Sequence, residues 1–358
     1  MNSHQKTIEI VKNTPLFFIV GRSRSGTTLL MSLFEAHPNI NIPFENPFIS
    51  ILYKDYAHIH NWDQKLLLKL YNDLYSIGWK FNCWGKNDEK LKNDLLECQG
   101  NNSYADICKV VMYNYISIFP KEEILILGDK NPMYAFKMKK IIKLFPDASF
   151  IHIIRDYRDH LYSMFKVDFL SSIVPEIAFQ WNYSAKEVLN YSKKYPGKII
   201  SVRYEDLVAN TALTMKRLFE FIQVPDHPEV VNFHHYKDKY IQRYSESIIN
   251  KFFKSLLNPI SSVGINTWPS KLTNQDVMIC ETIAGNYGEL FGYQKKYSNP
   301  SLQIRLYIIP RVLFIRLYYI YRFIIHKFPP TIKNAIKKII PELDIIYYKL
   351  FNDKRHKI

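Results

Sequence analysis

Residues able to hold an anion stand near the start of the chain, in Phe17-Phe18-Ile19-Val20-Gly21-Arg22-Ser23-Arg24-Ser25-Gly26-Thr27-Thr28-Leu29-Leu30. An apolar run, a small-residue loop and the start of a helix put backbone N–H groups and a helix N-terminus around a negative group. The spacing is nearly that of the phosphate cradle G-x-x-x-x-G-K-[ST], with Gly21, Gly26 and Thr28 in place. Thr27 stands where the lysine would be, and Arg24 lies three residues upstream of it.

Three further groups could act with this loop. Arg155, in Arg155-Asp156-Tyr157-Arg158-Asp159, follows an apolar run, and Ser163 lies eight residues beyond it. A guanidinium there can hold a phosphate dianion in its planar fork, and the serine can add a hydroxyl donor. Arg155-Asp156 can also be a local ion pair capping the helix, and Arg158 is expected to be a solvated first-turn residue. Lys130, in Gly128-Asp129-Lys130-Asn131-Pro132, can stabilise charge on a departing oxygen, or can be a solvated side chain. Glu45, in Ile42-Pro43-Phe44-Glu45-Asn46-Pro47, can take a proton from a hydroxyl, or can be a loop carboxylate without a role.

The elements that must position these groups follow from the apolar patterning. Strands are expected at 16–20, 124–127, 150–154 and 198–202. Helices are expected at 27–36, 134–144, 158–166, 175–194 and about 211–222. Strands alternating with helices make a parallel sheet covered on both faces, with ligands beyond the carboxyl ends of the strands. The loops 21–28, 128–132 and 155–159 all fall at such ends and are expected to converge on one site. The fold class is α/β: a P-loop-type three-layer fold with a central parallel sheet, plus a helical basic C-terminal appendage.

Taken together, these motifs resemble the sulfotransferases that use 3′-phosphoadenosine 5′-phosphosulfate (PAPS), closest to the tyrosylprotein and bacterial branch. Arg24-Ser25-Gly26-Thr27-Thr28 is similar to the family's 5′-phosphosulfate loop, and Arg155 with Ser163 to its 3′-phosphate motif. Leu144-Phe145-Pro146-Asp147-Ala148 and Val202-Arg203-Tyr204-Glu205-Asp206-Leu207 also resemble the family. The likeness covers roughly 15–50 and 120–295. It implies that Arg24, Ser25, Gly26, Thr27, Thr28, Arg155, Ser163 and Tyr204 bind PAPS, that Glu45 is the base, and that Lys130 assists the leaving oxygen. As bare sequence, Tyr204 is equally a core tyrosine. A sulfuryl group carries less charge than a phosphoryl group, so arginine, hydroxyls and backbone N–H groups can manage it, and no metal is expected.

Two family features are missing. The catalytic histidine of the small-molecule branch has no counterpart, since His37 and His152 sit elsewhere. Thr267 occupies the position before Trp268 where a basic residue is usual, with Lys271 nearby. A P-loop nucleotide kinase, and a membrane-peripheral nucleotide-binding protein without catalysis, are the other readings of the same loop.

Composition sets the outer bounds. The chain has 358 residues, 47% hydrophobic and 23% charged, enough for a substantial core. Its four cysteines have no zinc-like spacing and read as ordinary thiols. Of the net charge of +15, most lies after Ser301, where twelve Lys/Arg meet three Asp/Glu. The expected domains are a sulfotransferase domain over 1–298, with an acceptor-site insertion at about 50–120, and a basic amphipathic tail over 299–358. Arg305, Arg311, Arg316, Arg322 and Lys327 fall within an arc of roughly 160°. Residues 302–328 therefore fit either an anionic membrane surface or a helix packed on the domain with its basic face solvated. No nucleic-acid motif is present. The expected acceptor is a hydroxyl of a saccharide, glycolipid or other surface-associated molecule. The expected location is cytoplasmic, peripheral on the inner face of the membrane.

Overall fold

The computed structural model describes residues 3–167, 172–325 and 328. Lys327 and residues 329–358 of the expected tail lie outside the described residues. The chain forms two compact units, Met1–Ile154 with Glu187–Ser262, and Arg155–Lys186 with Val263–Ile358.

The first unit is built on a parallel sheet. Its strands are β1 (Leu16–Val20), β2 (Ile40–Asn41), β5 (Ile126–Lys130), β6 (Ser149–Ile154) and β7 (Ile199–Arg203), in the order β2-β5-β1-β6-β7. Two short strands, β3 (Asn61–Trp62) and β4 (Gly100–Asn101), pair antiparallel in the segment between β2 and β5. Every residue of β1 is buried, as a strand covered on both faces requires. Helices flank the sheet, with Thr27–Glu35 against β1, β2 and β5. Aromatic side chains fill the interior: Phe18 touches Tyr134, Phe145 and Phe150.

The expected strands and helices are present, with shifted ends. The largest shift concerns 128–132, expected as a loop. Gly128, Asp129 and Lys130 continue β5, paired with β1 through Phe17↔Gly128, Phe18↔Asp129 and Ile19↔Lys130. The charged side chains there are buried and partnered, so polarity did not end the strand. The segment after it is a 3₁₀ turn, Pro132–Phe136, capped by Asn131, before helix Met138–Leu144.

The second unit is helical. It contains Tyr157–Phe165, Asn274–Leu290 and Leu302–Ile325. Among the described residues, no helix is long and apolar enough to cross a membrane.

Candidate active site

In the first unit, Gly21 and Gly26 shape the loop. A Cβ on Gly21 would lie 2.4 Å from the Ile153 carbonyl oxygen, so the chain passes too close to β6 for a side chain. Gly26 is left-handed (φ 91°), and a Cβ there would lie 2.4 Å from the Tyr204 ring. Arg24 is also left-handed (φ 72°) and is exposed. Gly26 caps helix Thr27–Glu35 without a side-chain hydrogen bond, so the helix start relies on other partners for its first N–H groups. Ser25 Oγ is buried with no hydrogen-bond partner among the described residues. A hydroxyl in that state, beside a helix N-terminus, fits an anionic oxygen.

Glu45 and Lys130 meet at this loop. Lys130 is buried at the end of β5, and its Nζ donates to Glu45 Oε2 at 2.8 Å and to Thr28 Oγ1 at 3.5 Å. The Glu45 loop is fixed on both sides. Trp84 Nε1 donates to the Phe44 carbonyl at 2.7 Å, and Asn46 Oδ1 accepts from the Phe48 N–H at 2.8 Å.

A third member has no motif. Lys80, on the short helix Trp79–Asn82, donates to Glu45 Oε1 at 2.6 Å. Burial alone would raise the Glu45 carboxyl. The charges of Lys130 and Lys80, and their hydrogen bonds, outweigh it and hold the carboxyl down at about 2. Beside it, burial pushes the Asp129 carboxyl up to about 7, although Tyr134 donates a hydrogen bond to it. Tyr204 opens helix Tyr204–Ala209, half-buried, with its ring over Gly26. His37 bonds the Pro225 carbonyl, and His152 is buried in β6 and held down at about 3 by burial.

In the second unit, Arg155 Nη2 donates to the Gly264 carbonyl at 2.5 Å, and Trp181 Nε1 donates to the Arg155 carbonyl at 3.0 Å. Ser163 is buried on helix Tyr157–Phe165. Arg158 is not the solvated residue expected. The residue is 5% exposed, and its guanidinium pairs with both oxygens of Asp156, at 3.0 and 2.7 Å, and with Glu281 at 2.9 Å. It also lies 4.1 Å over the Trp268 ring. Asp156 caps the helix through the Arg158 N–H and forms an ion pair with the Arg158 guanidinium.

Asp159 does what no motif suggested. Its carboxylate accepts from the N–H groups of Asn266, Thr267 and Trp268 and from Thr267 Oγ1, all at 2.7–2.9 Å. Thr267, where a basic residue was expected, therefore serves a carboxylate in this loop. Lys271 follows on helix Trp268–Lys271 and is exposed.

A parallel sheet whose first strand opens into a glycine-bounded anion loop and a helix defines a P-loop-type nucleotide-binding fold, here with threonine in place of the loop lysine. The chain belongs to the sulfotransferase family: the sequence profile of the family matches residues 15–228. The family uses PAPS, and membership removes the kinase reading that the loop alone left open. Similar curated proteins include the "Protein-tyrosine sulfotransferase" of Drosophila melanogaster, 24% identical over 84% of this chain and 55% of that protein. Two more are "Protein-tyrosine sulfotransferase 1" of Danio rerio, 24% identical over 73% and 67%, and of Homo sapiens, 25% over 82% and 74%. The chain thus spans little more than half of the Drosophila protein. Among solved structures, the fold is shared with the sulfotransferase domain of the Synechococcus PCC 7002 olefin synthase (TM-score 0.53, 19% identity, 78% of this chain and 95% of that one). It is shared equally with the sulfotransferase domain of the curacin biosynthetic pathway (TM-score 0.53, 20% identity, 78% and 98%).

Proposed function

We propose that the chain transfers a sulfuryl group from PAPS to the phenolic hydroxyl of a tyrosine in a protein. The observation that carries this reading is the Lys130–Glu45 ion pair beside Thr28, which joins a base, a cation and the anion loop. The acceptor oxygen forms a bond to sulfur as the bond from sulfur to the bridging phosphate oxygen breaks. Glu45 takes the acceptor proton, and Lys130 stabilises the charge that moves onto the bridging oxygen. Arg24, Ser25, Gly26, Thr27 and Thr28 serve the phosphosulfate end. Arg155 and Ser163 serve the 3′-phosphate, and Tyr204 packs behind the loop at Gly26.

Two points favour tyrosine over the saccharide or glycolipid expected from the basic tail. The curated relatives are named for protein tyrosine. Glu45, held at about 2, is also a weak base. A tyrosine hydroxyl ionises near about 10, whereas an alcohol ionises far higher, nearer water. The phenol asks much less of such a carboxylate.

The test is transfer of labelled sulfate from PAPS to tyrosine peptides, oligosaccharides and glycolipids, with calorimetry of the product nucleotide PAP. Peptide sulfation, lost by about 10²–10⁴-fold in Glu45→Gln with PAP binding intact, is expected. Full turnover by Glu45→Gln would remove the base. Transfer to saccharides alone would return the acceptor to the carbohydrate class, and PAP binding without any transfer would favour a non-catalytic nucleotide-binding role.

A further inference from the structure

Helix Leu302–Ile325 has two apolar faces where the sequence suggested one. Ile304, Ile308, Ile315, Tyr318 and Ile325 are buried, and Ile315 packs with Ile173 of the same unit. On the other side, Leu302, Leu306, Ile309, Leu313, Leu317 and Ile320 are 55–71% exposed. At about 100° per residue these six fall within an arc of roughly 80°. Packing on the domain and presenting an apolar face, posed as alternatives by the sequence, therefore coexist.

The charge around this stripe selects its partner. Arg305 and Arg316 are exposed and lie within about 40° of one edge of the stripe. The helix contains no Asp or Glu. A second copy laid along the stripe would bring arginines against arginines with no carboxylate on the helix to answer them. Anionic headgroups would answer them directly, while the leucine and isoleucine side chains enter the acyl boundary. We propose that this helix docks the protein onto an anionic lipid bilayer, lying in the plane of the interface.

The test is co-sedimentation of the full chain with vesicles of phosphatidylcholine alone and of phosphatidylcholine mixed with phosphatidylserine. Binding to the mixed vesicles, weakened by salt, is expected, and neutralising either arginine should weaken it about fivefold. Leu306→Asp/Leu313→Asp/Leu317→Asp should abolish binding while leaving thermal unfolding unchanged, since these side chains are exposed. Arg305→Gln/Arg316→Gln gives a second readout that leaves the apolar face untouched. Absent binding, or equal binding to neutral vesicles, would overturn the proposal. So would a dimer by light scattering that the triple variant dissolves, which would make the stripe a self-interface. Transfer chemistry does not enter this measurement, so its result is independent of the acceptor.

Discussion

Lys80→Met is the sharpest perturbation of the candidate site, because Lys80 touches the proposed base without belonging to any motif. Its ammonium lies 2.6 Å from one Glu45 oxygen, and Lys130 lies 2.8 Å from the other. Together they hold the carboxyl at about 2 against burial. A cation this close lowers a carboxylate by about one to three pH units. The acid limb of kcat/KM reports the base of the free enzyme, which must be unprotonated to act. Activity is therefore present above the Glu45 value and lost below it. With both lysines present, the limb is expected near about 2, with the mildly acid range flat. In Lys80→Met it should move upward by about one to three pH units, while Lys80→Arg should stay near wild type. The stability sign is the same. A depressed carboxylate contributes stability above its unfolded value and loses it as pH falls toward its folded one, so the variant, with less depression to lose, should be less stable at neutral pH and lose less stability as pH falls. The assay is peptide sulfation across pH, with circular dichroism to bound the range in which the fold holds. An unmoved limb in a folded Lys80→Met enzyme would refute the charge argument.

Other changes probe the frame around the site. Gly26→Ala should cost about 1–2 kcal/mol for the left-handed backbone alone, plus the clash with Tyr204. It should lower the melting temperature and PAP affinity, and Tyr204→Ala in the same chain should relieve only the steric part. Arg158→Met should destabilise by about 3–5 kcal/mol in urea unfolding, because it strips the buried carboxylates of Asp156 and Glu281 of their cation. Asp129 sits at about 7, above its unfolded value, so its contribution is present at low pH and lost as pH rises through 7. Wild-type stability should then fall by up to about 1.4 kcal/mol per pH unit between the ordinary value of 3.8 and about 7 and level off above it, and Asp129→Asn, measured by denaturant melts from about pH 4 to about pH 8, should flatten the slope.

The strands were legible because buried parallel strands are uninterrupted apolar runs, as Phe17–Val20 and Phe150–Ile154 are. The loop was legible because its glycines answer to backbone geometry that few sequences satisfy. Charge was misread wherever its partner was distant in sequence. Arg158 looks solvated until Glu281, on another helix, is placed beside it. Lys130 looks like the start of a loop until Glu45 turns a polar residue into a strand end. Lys80 carries no signal at all, since Gly78-Trp79-Lys80 has neither motif nor periodicity and only the fold brings it to Glu45. The short strand β2, two residues long, gives too little alternation to read.

The alternation of β5 has a consequence for insertions and deletions. Asp129 and Lys130 are adjacent, so their side chains leave opposite faces of the sheet. One is tied to Tyr134 and the other to Glu45. A single residue gained or lost just before them would exchange the two faces if the pairing to β1 were kept. A residue gained would put the Asp129 carboxylate in the position that now faces Glu45, and a residue lost would put the Lys130 ammonium in the pocket that now raises Asp129. Segments far from this strand can vary in length, but here the spacing itself determines which sign of charge meets the base.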